Sequence, residues 1–207
     1  MPMVDPKAQD IQILGKKRLA DGFFKIDVYT LRVPHYDGSL GAPMEREVAD
    51  RGNAAGVLLY DPDREEMVFV EQFRPGAFFA RDNPWMFECV AGIIDAGETG
   101  ADVAVREAVE EAGCAVTDLE FALSYYSSPG GMTERIDLYC GRTDSSKHAQ
   151  IGGLAAEGED IRIKVVSVDD MAEMVRTGKI NNALTLIACQ WFLLNRGNLA
   201  KKWGKKS

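Results

Sequence analysis

Ala101, Ala104, Val105, Ala108, Val109 and Ala112 recur at spacings of three and four, a period that predicts one helix over Thr99 to Ala112 with an apolar face. Gly113 supplies its stop. Glu107, Glu110 and Glu111 fall roughly opposite that face, within about a third of the circumference. Glu107 and Glu111 are like charges one turn apart, and neither has a Lys or Arg three or four positions away. Both also lie near the helix end, where the dipole disfavours negative charge. A merely solvated face has no reason to combine these penalties. Clustered Glu oxygens are what a hard cation such as Mg²⁺ or Mn²⁺ requires, and such ions bridge carboxylates to phosphate oxygens. Arg106, one residue off the acidic face, suits an ion pair with Glu98 or with Glu110.

The remaining composition bounds the setting of this helix. With 207 residues, 46% of them hydrophobic, the chain can bury a full core as one domain or one domain with a small appendage. Acidic residues outnumber basic ones by 32 to 24, and the formal charge of -8 argues against a protein that holds nucleic acid by its phosphates. Any anionic ligand must therefore be met by a local arrangement. Cys89, Cys114, Cys140 and Cys189 lie far apart with no CxxC pair, which indicates neither a zinc knuckle nor a disulfide framework and points to a reducing, cytoplasmic setting. The first ten residues lack a basic start and apolar run, so secretion is not expected. Ala183 to Leu194 is the most apolar stretch and falls well short of the roughly 20 residues a membrane span needs. His35 and His148 stand in loops without ligand spacing. Lys201, Lys202, Lys205 and Lys206 read as a solvated basic tail.

Turn signals divide the rest. Gly22 to Pro34 and about Ala42 to Asp50 read as two strands joined through Asp37-Gly38, a strand-rich region over 1–52 with little core of its own. Such a region must pack on the rest of the chain or on a second copy. In 53–207, Ala54 to Tyr60 and Met67 to Phe73 form a predicted hairpin around Asp61-Pro62-Asp63-Arg64, and Trp85 to Val90 is a further strand. Leu119 to Tyr126 and Arg135 to Arg142 flank the loop Ser127 to Gly131. A long polar loop over 143–160 precedes a strand at Ile161 to Val168, a helix at Asp169 to Thr177 and a last helix at Ala183 to Asn195. Phe78, Phe79 and Trp85 are expected in core or dimer contacts. The order of elements implies an α/β sandwich with a mixed sheet.

Gly92-Ile93-Ile94-Asp95-Ala96-Gly97-Glu98, seven residues, then Arg106-Glu107-Ala108-Val109-Glu110-Glu111-Ala112-Gly113-Cys114 resembles the Nudix box. Every charged and glycine position of that pattern matches; Ala108 and Cys114 depart from its aliphatic positions. The resemblance implies a Nudix-type α/β/α sandwich and hydrolysis of a diphosphate linked to a second moiety, with Mg²⁺ as cofactor and Mn²⁺ as the alternative. It implies Glu107 and Glu111 as principal metal ligands, with Glu110 and the carbonyl of Ala91 assisting. Glu98 and Arg106 become a structural ion pair.

Outside the box, Asp21-Gly22-Phe23-Phe24, Arg46-Glu47-Val48, Glu71-Gln72-Phe73-Arg74-Pro75, Ser127 to Glu134 and Gly153 to Arg162 resemble the ADP-ribose pyrophosphatase branch of that family. This resemblance implies a homodimer that exchanges its amino-terminal strands and acts on a nucleoside diphosphate sugar. Phe23 and Arg46 would flank the adenine, Arg74 would contact the diphosphate or terminal ribose, and Glu134, with Met132 beside it, would serve the ribose hydroxyls. Glu157 is implied as general base and Glu159 as a further metal ligand. Other sugar nucleotides, such as GDP-mannose or ADP-glucose, are alternative substrates, and a non-catalytic sugar-nucleotide regulator is the alternative class. On this reading Glu157→Gln folds and binds substrate but loses most turnover in a steady-state assay; unchanged rates would remove Glu157 from the role.

Overall fold

The computed structural model describes residues 5–154 and 158–204. They divide into two compact units, one formed by the chain up to residue 53 with 126–134, the other by 54–125 and 135 onward. The loop 126–134 thus groups with the amino-terminal strands and not with the larger domain in which it lies in sequence.

The smaller unit is a three-stranded antiparallel sheet of β1 (Gln12–Asp21), β2 (Lys25–Arg32) and β3 (Met44–Asp50). The sequence reading has two strands here and places the first from Gly22. Residues 22–24 instead make the β1–β2 turn, with the Gly22 N–H donating to the Phe24 carbonyl at 3.4 Å. β1 escaped notice because it has no buried face to impose a period of two: nine of its ten residues are exposed. Charge holds it in register, as Lys16 and Arg18 converge on the buried carboxylate of Asp27 at 3.0 and 2.5 Å. The 126–134 loop docks on β3, where Ala49 donates to Gly131 at 2.8 Å and Thr133 donates back to Ala49 at 3.1 Å.

The larger unit is the α/β/α sandwich expected from the sequence. Its strands are β4 (Ala54–Asp61), β5 (Glu66–Phe73), β6 (Trp85–Glu88), β7 (Val90–Ile93), β8 (Asp118–Tyr126), β9 (Arg135–Arg142), β10 (Ile151–Gly152) and β11 (Ile161–Ser167). Its helices are α1 (Pro75–Phe79), α2 (Gly100–Ala112), α3 (Val168–Arg176) and α4 (Ala183–Trp203). The central order is β10-β11-β5-β4-β9-β8, with β4 and β9 parallel and the β11, β5 and β4 pairings antiparallel. Alternation assigns the two faces. Val57, Leu59, Val68 and Val70 pack against α2, whereas Leu58, Tyr60, Met67 and Phe69 pack against α3 and α4. Burial on both faces is why β4 reads as a continuous apolar run.

Two departures from the expected elements follow from that core. α4 continues to Trp203, past the expected end at Asn195, because Leu199 and Trp203 are buried in the α3/α4 side of the core. Lys201 and Lys202 therefore belong to a helix, with Lys202 paired to Glu120, and are not a free tail; Lys205 and Lys206 lie outside the described residues. Phe78, Phe79 and Trp85 are exposed and so do not serve the core of this chain. Pro75 opens the short α1 at a position where its missing N–H costs nothing.

β4 and β5 pair only over 59–61 and 66–68, and beyond this they separate. β7 pairs with the free part of β4 and β6 with the free part of β5. The strand is interrupted between β6 and β7 at Cys89, whose N–H donates to Thr185 Oγ1 at 3.0 Å in place of a strand partner. Asn182, the cap of α4, donates to the Phe87 carbonyl at 2.7 Å. Thr185→Val keeps the side-chain shape but leaves a buried donor unsatisfied; we expect a loss of about 1–3 kcal/mol in denaturant unfolding.

Candidate active site

α2 begins with a reciprocal cap. Thr99 accepts from the Asp102 N–H at 3.2 Å, and Asp102 accepts from the Thr99 N–H at 2.9 Å. It ends on Gly113 at φ 65°, which sends the chain away after Ala112. Ala108 and Cys114, the two positions that depart from the aliphatic pattern, are both fully buried in the layer between α2 and the sheet. Small side chains there let the helix lie close to the strands.

The acidic residues do not share one solvated face. Glu111 is only 3% exposed and accepts from the Ala91 N–H of β7 at 3.2 Å. Glu107 lies over Gly92, where any Cβ would collide with its carboxylate. Glu110 is more open and is paired with Arg106. Arg106 spans three carboxylates: Nε and Nη2 meet Glu98 at 3.0 and 3.2 Å, and Nη1 meets Glu107 at 2.8 Å and Glu110 at 2.9 Å. The expectation that Glu107 lacks a counter-charge is thus corrected by its chain neighbour, a contact that spacing of three or four cannot reveal. Glu98 also accepts from the Asp95 N–H at 3.2 Å, and these bonds hold its carboxyl below the usual range.

The Glu159 carboxylate accepts from the Leu154 N–H at 3.1 Å. Gly152 and Gly153 lie close against the end of α2. A Cβ at Gly152 would strike the Glu111 carbonyl, and the Gly153 N–H donates to the Glu110 carbonyl at 3.1 Å. Glu159 therefore acts electrostatically on both Glu107 and Glu111. Burial, with those like charges, pushes the Glu111 carboxyl up to about 8 and raises Glu107 in the same direction. Glu157 lies outside the described residues.

Arg74 follows β5; desolvation works against its charge, but the Glu88 carboxylate raises its pKa, with smaller contributions from Glu111 and Glu159. Its guanidinium rests on Glu88, which Gln72 also contacts at 3.2 Å. The sequence reading passed over Glu88 and Gln72; the signal was a carboxylate closing the otherwise apolar run Trp85 to Phe87. The other four candidate substrate residues belong to the smaller unit. Phe23 is exposed in the β1–β2 turn, edge-on to Phe24 at 5.3 Å. Arg46 stands opposite Tyr29 on β3 and donates to the Glu45 carbonyl at 2.8 Å. Met132 bridges to Ala49, and Glu134 is buried against Arg51 at 2.5 Å.

Among the described residues no three His, Cys, Asp or Glu side chains converge as a finished metal cage. The donor chemistry nevertheless fits a hard divalent cation: oxygen ligands only, one of them a buried carboxylate whose ionised form lacks compensation. Glu107, Glu111 and Glu159, with the Ala91 carbonyl and Glu110, are the groups available to hold it.

Oxygen donors gathered near the end of α2, with arginines beside them, suit the hydrolysis of phosphate anhydrides, and the chain's relatives place it in that class. The chain belongs to the Nudix family, as the NUDIX domain model matches residues 50–185. It is 42% identical over 194 residues to the ADP-ribose pyrophosphatase of Escherichia coli (strain K12), covering 94% of this chain and 93% of that protein. Identity to the Haemophilus influenzae ADP-ribose pyrophosphatase is 39%, covering 94% of this chain and 91% of that one. A GDP-mannose pyrophosphatase from Cronobacter sakazakii is 34% identical, covering 87% of this chain and 94% of that protein. The crystal structure of an ADP compounds hydrolase shares the fold at TM-score 0.68 and 19% identity, covering 96% of this chain and 98% of that one.

The raised Glu111 pKa has a definite sign in stability. Its carboxyl holds a proton more tightly folded than unfolded, so the stability it contributes is present below its ordinary value of 4.5 and is lost as pH rises through about 8. A bound divalent cation favours the ionised form and should raise the melting temperature more at about pH 8 than at about pH 6. Melting curves with and without Mg²⁺ at both pH values check this; equal shifts would count against Glu111 as a ligand.

Proposed function

We propose that this protein hydrolyses ADP-ribose to AMP and ribose 5-phosphate with Mg²⁺ as its cofactor. The observation that carries the reading is the pairing of Glu107 and the buried Glu111 at the end of α2, over Gly92 and beside Arg74. Higher identity to the relatives named ADP-ribose pyrophosphatase than to the one named GDP-mannose pyrophosphatase supports the choice of substrate.

When bound, the cation supplies charge neutralisation at the phosphate oxygens and makes water more acidic. Glu107, Glu111 and Glu159 hold it, with Glu110 and the Ala91 carbonyl assisting. Arg74 receives the diphosphate by charge-assisted hydrogen bonds. Glu157 takes the proton from the attacking water as one P–O bond of the anhydride breaks. Phe23 and Arg46 flank the adenine, and Glu134 and Met132 serve the ribose. The working form is a homodimer with exchanged amino-terminal strands; exposure of Ile13, Leu14, Leu19, Phe23 and Phe24 in the smaller unit supports it. Four buried, unpaired cysteines support a reducing cytoplasmic setting.

GDP-mannose is the second reading, favoured by the 34% identical relative. Turnover of a panel of sugar nucleotides with Mg²⁺, with products separated by chromatography, tests both. ADP-ribose is expected to be cleaved fastest, to AMP and ribose 5-phosphate. Cleavage of GDP-mannose alone would move the substrate and leave the fold and metal site standing. Binding without any turnover would favour a regulator.

A further inference from the structure

Glu88 closes β6 with its side chain almost wholly buried, immediately before the strand interruption at Cys89 that Thr185 satisfies. One carboxylate oxygen, Oε2, takes three donor contacts: hydrogen bonds from Gln72 Nε2 at 3.2 Å and Arg74 Nε at 2.9 Å, and an ion-pair contact from Arg74 Nη2 at 2.7 Å. Gln72 is itself 8% exposed, so the clamp is assembled inside the sheet. The Arg74 backbone is also pinned, its N–H donating to the Pro84 carbonyl at 2.8 Å across the α1 connection.

The arginine differs from its clamp. Its side chain remains 46% exposed, and after Glu88 the charges that act on it are those of Glu111 and Glu159. A guanidinium has five N–H donors; Glu88 takes a hydrogen bond from Nε and an ion-pair contact from Nη2, and the other donors can serve an anionic ligand. A free arginine loses about 2 kcal/mol of rotamer freedom when it is fixed. An arginine already held loses less when substrate arrives.

We propose that Glu88, backed by Gln72, is a positioning residue that holds Arg74 in place to receive the diphosphate of the substrate. The role rests on the sugar-nucleotide hydrolysis proposed above. It is carried by the three-donor clamp on Glu88 Oε2, not by contact between Glu88 and substrate.

The test is a double-mutant cycle of Glu88→Gln and Arg74→Ala, with kcat and KM measured for ADP-ribose in Mg²⁺ and melting temperature and Mg²⁺ half-saturation followed in parallel. Glu88→Gln is expected to raise KM about tenfold with kcat changed less than about threefold, the signature of lost ground-state binding. The Mg²⁺ half-saturation stays unchanged, and in the Arg74→Ala background the same substitution adds nothing further. An equal KM effect with Arg74 absent, or a fall in kcat that tracks melting temperature, overturns the positioning role. Should Glu88→Gln fold poorly, Gln72→Leu removes only the third donor and should move KM the same way by a few-fold; an unmoved KM overturns the role. Absence of turnover by the unaltered protein, with any sugar nucleotide, overturns the hydrolase reading and the role that rests on it.

Discussion

A carboxylate buried at the end of a helix is the constraint around which the larger unit is organised. Glu111 lies among the small side chains of the α2 layer, and its one described hydrogen bond is to the Ala91 N–H. Desolvation and neighbouring like charge both oppose its ionisation. Such a group is costly in an apolar layer unless something compensates its charge. The surrounding architecture keeps positive charge near it without neutralising it: Arg106 is committed to Glu98, Glu107 and Glu110, and Arg74 to Glu88. The resulting deficit of positive charge is local and specific, which is what a divalent cation with a diphosphate can fill.

The rest of the sandwich makes that placement possible. β4 and β5 part after a short common register, and the gap admits β6 and β7, so that Ala91 and Gly92 run beneath the last turns of α2. Cys89 must break the strand there, and Thr185 from the opposite helix layer satisfies the backbone group that the break exposes. Gly92 and Gly152 each remove a Cβ where a carboxylate or a carbonyl would otherwise collide. Packing on both faces of the sheet is therefore linked to charge placement through a few backbone contacts.

Much of this was legible in the chain. The period of α2, its glycine stop, the central hairpin and the mixed sheet follow from spacing and turn chemistry, which are local. The candidate carboxylates Glu107, Glu110 and Glu111 stood out as well, because like charges near a helix end carry a cost that is visible without coordinates. β1 was not, since its residues have no buried face and its register depends on Asp27 meeting Lys16 and Arg18 across the sheet. The last turns of α4 were hidden because lysines flank Leu199 and Trp203, and burial of those two is a tertiary fact.

The sequence by itself supplied candidates for the chemistry: Glu107, Glu110, Glu111 and Arg106 from helical spacing, and Glu159 and Arg74 through the family resemblance. Only the tertiary structure decided how their charges are shared. It buried Glu111 and left Glu110 open, turned Arg106 toward Glu107, and tied Arg74 to Glu88. Residue type and helical period set chemistry and facing, but charge compensation depends on distance and desolvation, and these arise only when strands far apart in sequence are brought under the same helix.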